Sequence, residues 1–246
     1  MPITTDTITT ADGDCEVTVA TPAGPGPWPA VLMYPDAGGR RPVFATMAAR
    51  LADLGYLVLV PDIYYRNPGW QPFDMATAFT DDAERTRLFA MMQQVTPATM
   101  VADARCFTDY LAARPDVQGG KFGVTGYCMG GRTALILAGQ LPGRVATAMS
   151  FHGGGLVTDG PDSPHLAAPQ MTSVVYVGAA ENDRSFTAEQ GTILDRALTD
   201  AGVEHTIEFY PAAHGFAVPD HTAAYNESAA ERHWQAMAAV FGATLV

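Results

Sequence analysis

Short apolar runs that alternate with helical patterns are the feature that most constrains the fold of this chain. The runs have the length of buried strands, and between them apolar residues recur at three- and four-residue spacing. This alternation predicts an α/β fold with a mostly parallel, doubly wound sheet and helices on both faces, where ligands lie beyond the carboxyl ends of the strands. The predicted strands are 30–34, 56–60, 121–125, 145–151, 173–178 and 205–210, and the predicted helices are 43–54, 98–113, 129–139, 188–201 and 222–241.

Two regions depart from this alternation. Residues 7–10 and 15–21 alternate in β-branched side chains around the turn ADGD, which predicts a hairpin. Residues 62–96 follow a strand but run long, and two interpretations stay open: an insertion that arches over the strand ends, or an ordinary surface excursion. The chain contains no linker, so we expect residues 1–246 to form a single domain.

The composition limits the partners that the chain can have. Hydrophobic residues make up 48% of the chain, enough for a sizeable core, and the formal charge of −12 argues against a nucleic-acid or anionic-membrane partner. The N-terminus lacks the charged and apolar regions of a signal peptide, and no apolar run has the length of a membrane span. The three cysteines have no metal-binding spacing. We therefore expect a cytoplasmic monomer or small homo-oligomer that acts on small molecules and has no metal site.

The stretch GYCMGG places a cysteine between a predicted strand and a predicted helix. Gly126, Cys128 and Gly130 have the G-x-nucleophile-x-G spacing of a nucleophile elbow, with sulfur in place of the usual serine oxygen. The glycines let strand and helix approach each other, and the helix N-terminus favours a thiolate. The alternative is a small apolar cysteine in a packing turn. The succession of strand, elbow and helix favours the nucleophile.

A thiol nucleophile needs a base, and the order of elements indicates which histidine supplies it. His214, in PAAHGF, lies between the last predicted strand and the last predicted helix, where the base of such a fold belongs. The orienting acid is expected after the strand 173–178, where the loop AAENDRS offers Glu181 and Asp183. Asp183 is favoured because it lies just before the next helix. Glu181 stays open, as does the interpretation that both acids only favour that helix N-terminus.

The remaining parts of a hydrolytic site follow from the same arrangement. An oxyanion hole takes one N–H from Met129, after the nucleophile, and one from the loop YPDAGG, where Ala37 is the expected donor. Asp36 in this loop is then close to the sulfur. The loop lacks the signature of a phosphate cradle. His152 begins HGGG, which mimics an oxyanion motif but comes after the nucleophile, so we expect His152 only to line the pocket.

Taken together, GYCMGG, PDAGG, AENDRSF and AAHGF resemble the dienelactone hydrolase family of α/β-hydrolases, from about Val31 to the segment YNESAAERHW. The resemblance implies a three-layer α/β-hydrolase fold that hydrolyses a lactone or ester through a thioester acyl-enzyme, with no metal or organic cofactor. The roles that it implies are nucleophile for Cys128, base for His214, orienting acid for Asp183 and oxyanion donors for Ala37 and Met129.

The chain departs from the family pattern at two positions. Members that act on the dienelactone have a glutamate that helps to activate the thiol where this chain has Asp36, so the resemblance implies this thiol-activating role for Asp36, whose side chain is one methylene shorter. They also hold the substrate carboxylate with two arginines; Arg85 resembles the first, but Val218 occupies the place of the second and cannot pair with an anion. This loss predicts a less charged and bulkier ester or lactone. The side chains expected to line the pocket are Tyr64, Tyr65, Trp70, Phe73, Tyr127 and His152.

A second function from another class also stays open. An exposed, reactive Cys128 would suit a non-catalytic ligand-binding or redox-sensing protein, because oxidation of such a sulfur is a signal in itself. The hydrolase is favoured because a base, an acid and an oxyanion loop all occur where hydrolysis needs them.

Overall fold

The computed structural model of the chain describes residues 2–245 and has a central sheet of eight strands. The strands are β1 (Ile3–Thr10), β2 (Gly13–Ala20), β3 (Ala30–Tyr34), β4 (Leu57–Pro61), β5 (Phe122–Tyr127), β6 (Val145–Phe151), β7 (Val174–Asn182) and β8 (His205–Ala213). The helices are α1 (Pro42–Ala52), α2 (Asp82–Met92), α3 (Pro97–Ala113), α4 (Met129–Gln140), α5 (Ala188–Asp200) and α6 (Glu227–Thr244), with a 3₁₀ helix at Pro164–Gln170. Among these residues, no helix is long and apolar enough to cross a membrane.

The sheet has the strand order β1-β2-β4-β3-β5-β6-β7-β8. The predicted hairpin is confirmed: Thr10 of β1 lies opposite Gly13 of β2, and β2 runs antiparallel to β4. Every other neighbouring pair is parallel. The chain order reverses at β3, which pairs with both β4 and β5. In a doubly wound sheet, a crevice opens at such a switch point, here beyond the carboxyl ends of β3 and β5.

Helices cover both faces of this sheet, which gives the three-layer α/β fold that the alternating pattern predicts. On one face, α3, α4 and α5 pack through Phe107, Leu135 and Leu194. On the other face, α1 and α6 pack through Met47 and Phe241. Every residue of β3 and β4 is buried between the two layers. Strands covered on both sides must be apolar throughout, which is why they form uninterrupted runs in the sequence.

The long segment 62–96 is folded, and it contains a helix that the sequence pattern did not predict. Asp81 caps the N-terminus of α2. Only Leu88 and Met91 of this helix are buried, so it lacks the apolar stripe by which an amphipathic helix is recognised. Both side chains pack in a small hydrophobic cluster with Ala37. The segment therefore lies beside the carboxyl end of β3, next to the predicted oxyanion loop.

The closing helix begins later than the sequence predicts. Its first residue is Glu227 and not Thr222, and the side chain of Asn226 accepts a hydrogen bond from the N–H of Ala229 at 3.0 Å. The preceding residues form turns, with the carbonyl of His221 accepting from two N–H groups further along the chain. His221 therefore belongs to the loop after β8 and not to the closing helix.

Candidate active site

Cys128 occupies a sharp turn between β5 and α4. Its φ of 54° and ψ of −114° lie outside the usual regions for a residue with a side chain. A Cβ atom on Gly126 would overlap the carbonyl of Gly130, and one on Gly130 would overlap the carbonyl of Tyr34, so both positions require glycine. Cys128 is half-buried and lines a cavity. The structure thus has the elbow that the spacing predicts, and the thiol is not packed inside the core.

The loops after β7 and β8 bring an acid and a histidine together beside the elbow. Nδ1 of His214 lies 2.6 Å from Oδ2 of Asp183. The other oxygen of Asp183 accepts hydrogen bonds from the N–H and hydroxyl of Ser185, at 2.8 and 2.6 Å. The side chain of Asp183 is 3% exposed, whereas Glu181 is an exposed residue. Of the two acids that the sequence left open, the structure places Asp183 against the imidazole.

The electrostatics of this pair favour a charged imidazole. Burial alone would lower the pKa of His214, but hydrogen bonds to Asp183 and to the Cys128 sulfur outweigh it and raise the pKa to about 10. Burial likewise tends to raise the pKa of Asp183, yet its bonds to His214 and Ser185 hold that pKa below the ordinary value. An imidazolium between the carboxylate and the sulfur is the form that stabilises a thiolate.

The two predicted oxyanion donors lie on the same cavity as the sulfur. Ala37 and Met129 both line it together with Cys128 and His214. Met129 is the first residue of α4, so its N–H has no acceptor within the helix. The loop that carries Ala37 is held from behind, because the hydroxyl of Tyr64 donates to the Ala37 carbonyl at 2.8 Å. Two N–H groups beside a nucleophile are what an oxyanion hole requires.

Asp36 belongs to a buried ionic network. Arg41 donates to both of its carboxylate oxygens, at 2.7 and 2.9 Å, and the N–H of Gly38 donates to Oδ1 at 2.8 Å. The same guanidinium binds Asp220 at 2.7 and 2.8 Å. His221 lies 3.4 Å from Asp36 on the other side. The network ties the oxyanion loop to the loop that follows His214.

This network differs from the role in thiol activation that the resemblance implies for Asp36. Within the described part of the chain, the hydrogen-bond partners of Asp36 do not include Cys128. Burial alone would raise the pKa of Asp36, but hydrogen bonds from His221 and Arg41 hold it below its usual range, so the carboxylate stays charged. Neither partner could be predicted from the sequence, because a basic residue in a loop shows no pattern that would indicate its burial.

The cavity beside Cys128 has a volume of about 660 Å³. Its wall combines the catalytic loops with the first turns of α3 and α4, and two arginines that the sequence analysis did not consider, Arg132 and Arg184, belong to it. Arg132 lies 3.6 Å from Asp162, a loose pairing for a guanidinium. The remaining lining residues are Ala37, Phe79, Met92, Gln93, Val95, Thr96, Pro97, Met100, Cys128, Met129, Gly154, Gly155, Asp162, Asp183, Ser185 and His214.

Three aromatic residues predicted to line this cavity pack against one another instead. The Tyr64 ring lies 5.2 Å from the Trp70 ring and 6.4 Å from the Phe73 ring. The indole N–H of Trp70 donates to Asp62 at 2.9 Å. Tyr64 and Phe73 are buried, so this cluster supports the oxyanion loop from outside the cavity. These three aromatic rings pack the long segment 62–96 against the sheet.

Three further residues predicted to bind substrate also lie elsewhere. The Tyr65 hydroxyl bonds to Asp103 at 2.9 Å, away from the cavity wall. Tyr127 precedes the nucleophile, but its ring is buried on the α6 face of the sheet because side chains alternate along a strand. Arg85 pairs at 2.6 Å with Asp82 on the exposed surface of α2. None of them is placed to contact a substrate beside Cys128.

His152 lies behind the His214 imidazole. It is 1% exposed, its φ is 39°, and neither ring nitrogen has a hydrogen-bond partner among the described residues. Its ring centroid is 5.2 Å from that of His214 and 5.2 Å from that of Phe216. Burial lowers the pKa of His152 well below its ordinary value, so the ring is neutral. Gly154 and Gly155 of the HGGG motif line the cavity, whereas His152 packs against the base.

An eight-stranded sheet with an elbow after β5, an acid after β7 and a histidine after β8 defines an α/β-hydrolase. The comparison with sequence families agrees with this class. The chain belongs to the dienelactone hydrolase family, whose sequence profile matches residues 15–245. It is therefore a hydrolase.

Individual relatives and solved structures agree with this assignment. A carboxymethylenebutenolidase from Pseudomonas sp. strain P51 is 29% identical over 192 residues, which cover 78% of this chain and 75% of the relative. P91, a dienelactone hydrolase-like promiscuous phosphotriesterase from metagenomic libraries, has a TM-score of 0.77 at 25% identity, with 100% of each chain covered. A Klebsiella pneumoniae protein provisionally assigned as a dienelactone hydrolase has a TM-score of 0.83 at 24% identity over 98% of each chain, a likeness of fold alone.

Proposed function

We propose that the chain hydrolyses a small-molecule carboxylic ester or lactone through a thioester on Cys128. The observation that carries the proposal is the 2.6 Å contact of Asp183 with Nδ1 of His214, on a cavity wall that His214 shares with Cys128. Membership of the dienelactone hydrolase family and the likeness to a carboxymethylenebutenolidase support the reaction class.

Acylation begins when His214 holds the proton of the Cys128 thiol and the sulfur attacks the acyl carbon. The carbonyl oxygen becomes an oxyanion, which the N–H groups of Ala37 and Met129 stabilise. When the carbon–oxygen bond to the leaving group breaks, the imidazolium of His214 gives its proton to the departing oxygen. Asp183 keeps the imidazole in the tautomer that faces the sulfur throughout.

Deacylation repeats these steps with water in place of the thiol. His214 takes a proton from a water molecule, whose oxygen attacks the thioester carbon, and the same two N–H groups hold the second oxyanion. The carbon–sulfur bond then breaks, and the sulfur leaves as a thiolate beside the protonated imidazole. The product is a carboxylic acid, and the enzyme returns to its starting state.

The placement of charges bears on the substrate class. Val218 is fully buried, and Arg85 pairs with Asp82 and is not among the cavity-lining residues, so neither supplies the carboxylate clamp expected for the dienelactone. The volume of about 660 Å³ exceeds what a small lactone needs, which supports a bulkier ester or lactone. The substrate panel should therefore contain the dienelactone, bulkier lactones and p-nitrophenyl esters, with a phosphotriester because of the activity for which P91 is named.

Replacement of the proposed nucleophile and base tests this function. We expect Cys128→Ala and His214→Ala each to lower kcat/KM for p-nitrophenyl acetate on the order of 10³-fold or more, because the acyl-enzyme can no longer form or break down. Cys106→Ala is the matched control, since that half-buried cysteine lies in α3 and not at the cavity. Circular dichroism should show that all three variants are folded. Turnover close to wild type in both variants would contradict the proposal.

A second measurement separates hydrolysis from redox sensing. Rapid mixing with excess ester, acid quench and mass spectrometry should show one acyl group on the peptide that contains Cys128 and none in Cys128→Ala. Fast alkylation of Cys128 by iodoacetamide, with no turnover of any ester, lactone or phosphotriester, would favour the sensor instead.

A further inference from the structure

A second cavity borders the catalytic one. It has a volume of about 480 Å³ and lies between α3, α4 and the 3₁₀ helix. Pro97 and Asp162 line both cavities, so the two meet at these residues. Most of the side chains of this second cavity, here called the side groove, are apolar. They are Pro97, Ala98, Val101, Ile136, Pro161, Pro164, Leu166 and Ala167, together with Gln140, Asp162, Ser163 and Gln170.

One face of α4 connects the sulfur with the side groove. Arg132 lines the catalytic cavity, and Ile136 and Gln140 line the side groove. These residues follow one another at four-residue spacing and therefore lie on the same face of the helix. Since α4 starts directly after Cys128, this face leads from the nucleophile into the groove.

The composition of the side groove indicates the chemistry of its occupant. Ile136 is 4% exposed and forms part of an apolar floor, while Leu166 remains 53% exposed at the rim. Burial of such surface against a hydrocarbon is favourable. Arginine and lysine are missing from the side-groove lining, and its one acid, Asp162, lies at the junction beside Arg132. An uncharged apolar chain fits this lining better than a second anionic group does.

The geometry of acyl transfer decides which part of an ester points into the side groove. The tetrahedral carbon carries the sulfur, the oxyanion, the leaving group and the acyl chain. The leaving group must face His214, because it takes its proton from that imidazole. The side groove has no residue from the loops of Asp183 and His214. The remaining substituent, the acyl chain, is the one directed away from the base.

We propose that the side groove binds the straight apolar acyl chain of the ester and makes medium-chain acyl esters preferred substrates. The proposal rests on the proposed function, because it assigns a chain-binding subsite to the same nucleophile. From Met129 to Ile136, α4 rises about 10 Å. An extended hydrocarbon with bonds of roughly 1.5 Å advances about 1.25 Å per carbon. An acyl chain of about eight carbons therefore reaches Ile136 from the sulfur.

A chain-length series measures this directly. The probes are p-nitrophenyl acetate, butyrate, hexanoate, octanoate, decanoate and dodecanoate, each kept below its micellar concentration. We expect kcat/KM to rise by up to about fourfold for each methylene that enters the groove, and to level off beyond about ten carbons. A flat series, or one that falls after butyrate, would overturn the proposal.

A bulky side chain placed in the side groove identifies where the chain binds. Ala98 is exposed on the first turn of α3 and belongs to the side groove but not to the catalytic cavity. We expect Ala98→Trp to lower the octanoate-to-acetate ratio of kcat/KM at least tenfold. Ala112→Trp is the matched control: that residue is exposed on the same helix, about 21 Å further along its axis. The octanoate-to-acetate ratio of kcat/KM in Ala112→Trp should equal that of wild type.

The outcomes separate this proposal from the proposed function. Absence of acetate turnover in wild type, or its persistence in Cys128→Ala, would defeat the proposed mechanism. Acetate turnover that depends on Cys128, combined with equal octanoate-to-acetate ratios in wild type and Ala98→Trp, would overturn the side groove alone. A drop in the ratio in Ala98→Trp but not in Ala112→Trp supports it.

Discussion

Asp36 and Asp183 are two buried carboxylates in loops beside Cys128, and they have different partners. Asp183 is bonded to the imidazole of His214, with Nδ1 at 2.6 Å. Asp36 is bonded to a guanidinium that it shares with Asp220. Both have a pKa below the ordinary value despite burial, because each faces a cation or hydrogen-bond donors.

The difference shows that the partner of a buried acid, and not its nearness to the nucleophile, decides what it does. A carboxylate that already accepts a bidentate pair from arginine is a poor base, since taking up a proton would break charge-assisted hydrogen bonds. Asp36 therefore holds the loop of Ala37 in place through Arg41, whereas we propose that Asp183 acts on the reaction through His214. Two replacements, each with a matched control, and a pH series can test this comparison.

The largest effect is expected at the acid that faces the imidazole. Asp183→Asn should lower kcat for p-nitrophenyl acetate on the order of 10³- to 10⁴-fold, because an amide no longer holds His214 in the required tautomer or stabilises its charge. Glu181→Gln is the control, two residues earlier and exposed, and its kcat should stay within twofold of wild type, about 0.4 kcal/mol. Activity of Asp183→Asn within tenfold of wild type would show that the two carboxylates do not differ as we infer.

The second effect concerns stability. Arg41→Met leaves Asp36 buried without its cation, and we expect the free energy of unfolding in urea to fall by about 3–5 kcal/mol. Arg132→Met is the matched control on the other side of the sulfur, where the guanidinium is 27% exposed and its acid lies 3.6 Å away. In Arg132→Met, the free energy of unfolding should fall by less than about 1 kcal/mol. Similar losses of unfolding free energy in both variants would show that the buried Arg41–Asp36 pair matters no more for stability than the partly exposed Arg132–Asp162 pair.

The smallest effect is a pH dependence of stability. We expect it for the Asp183–His214 pair and not for the Asp36–Arg41 pair. Because its folded pKa is raised to about 10, His214 contributes stability that is fully present below its unfolded pKa of about 6.5 and lost as the pH rises through the folded value. The stability advantage of wild type over Asp183→Asn should therefore shrink between pH 7 and pH 10, on the order of 1 kcal/mol.

The Arg41–Asp36 pair provides the reference for this pH series. The pKa of Arg41 lies above its ordinary value because of hydrogen bonds to Asp220 and Asp36, which overcome burial, so neither Arg41 nor Asp36 changes charge in that range. The advantage of wild type over Arg41→Met should stay constant from pH 7 to pH 10 in the same urea titrations. A parallel decline for both variants would mean that His214 is not the titrating group.

Much of the fold could be predicted from the sequence, because strands buried on both faces must be apolar along their whole length. The predicted hairpin and the alternating strands and helices are confirmed, and so is the turn at Cys128, where only glycine fits at Gly126 and Gly130. Helix α2 could not be predicted in this way. Its stability comes from an N-cap and two buried side chains, too few to produce a periodic pattern.

The candidate site was less predictable in its outer parts than at its centre. The order of Cys128, Asp183 and His214 along the chain follows the order of the strands, so their positions could be inferred from element boundaries. The aromatic residues of segment 62–96 could not be assigned in the same way, since an aromatic side chain serves packing and binding equally well. The sequence places Tyr64 near the site, but only its contacts show that it supports the loop of Ala37 from behind.

The sequence by itself determined the alternating sheet, the glycine-bounded elbow and the succession of sulfur, acid and imidazole, because each follows from short local patterns and from their order along the chain. Only the tertiary structure decided that Asp36 binds Arg41, that Arg132 and Arg184 line the cavity, and that a groove along α4 adjoins it. Those features join residues from separate loops and helices, as where Arg41 binds Asp220 across 179 positions of the chain. Contacts of that kind depend on how the folded elements pack, and no local sequence pattern indicates them.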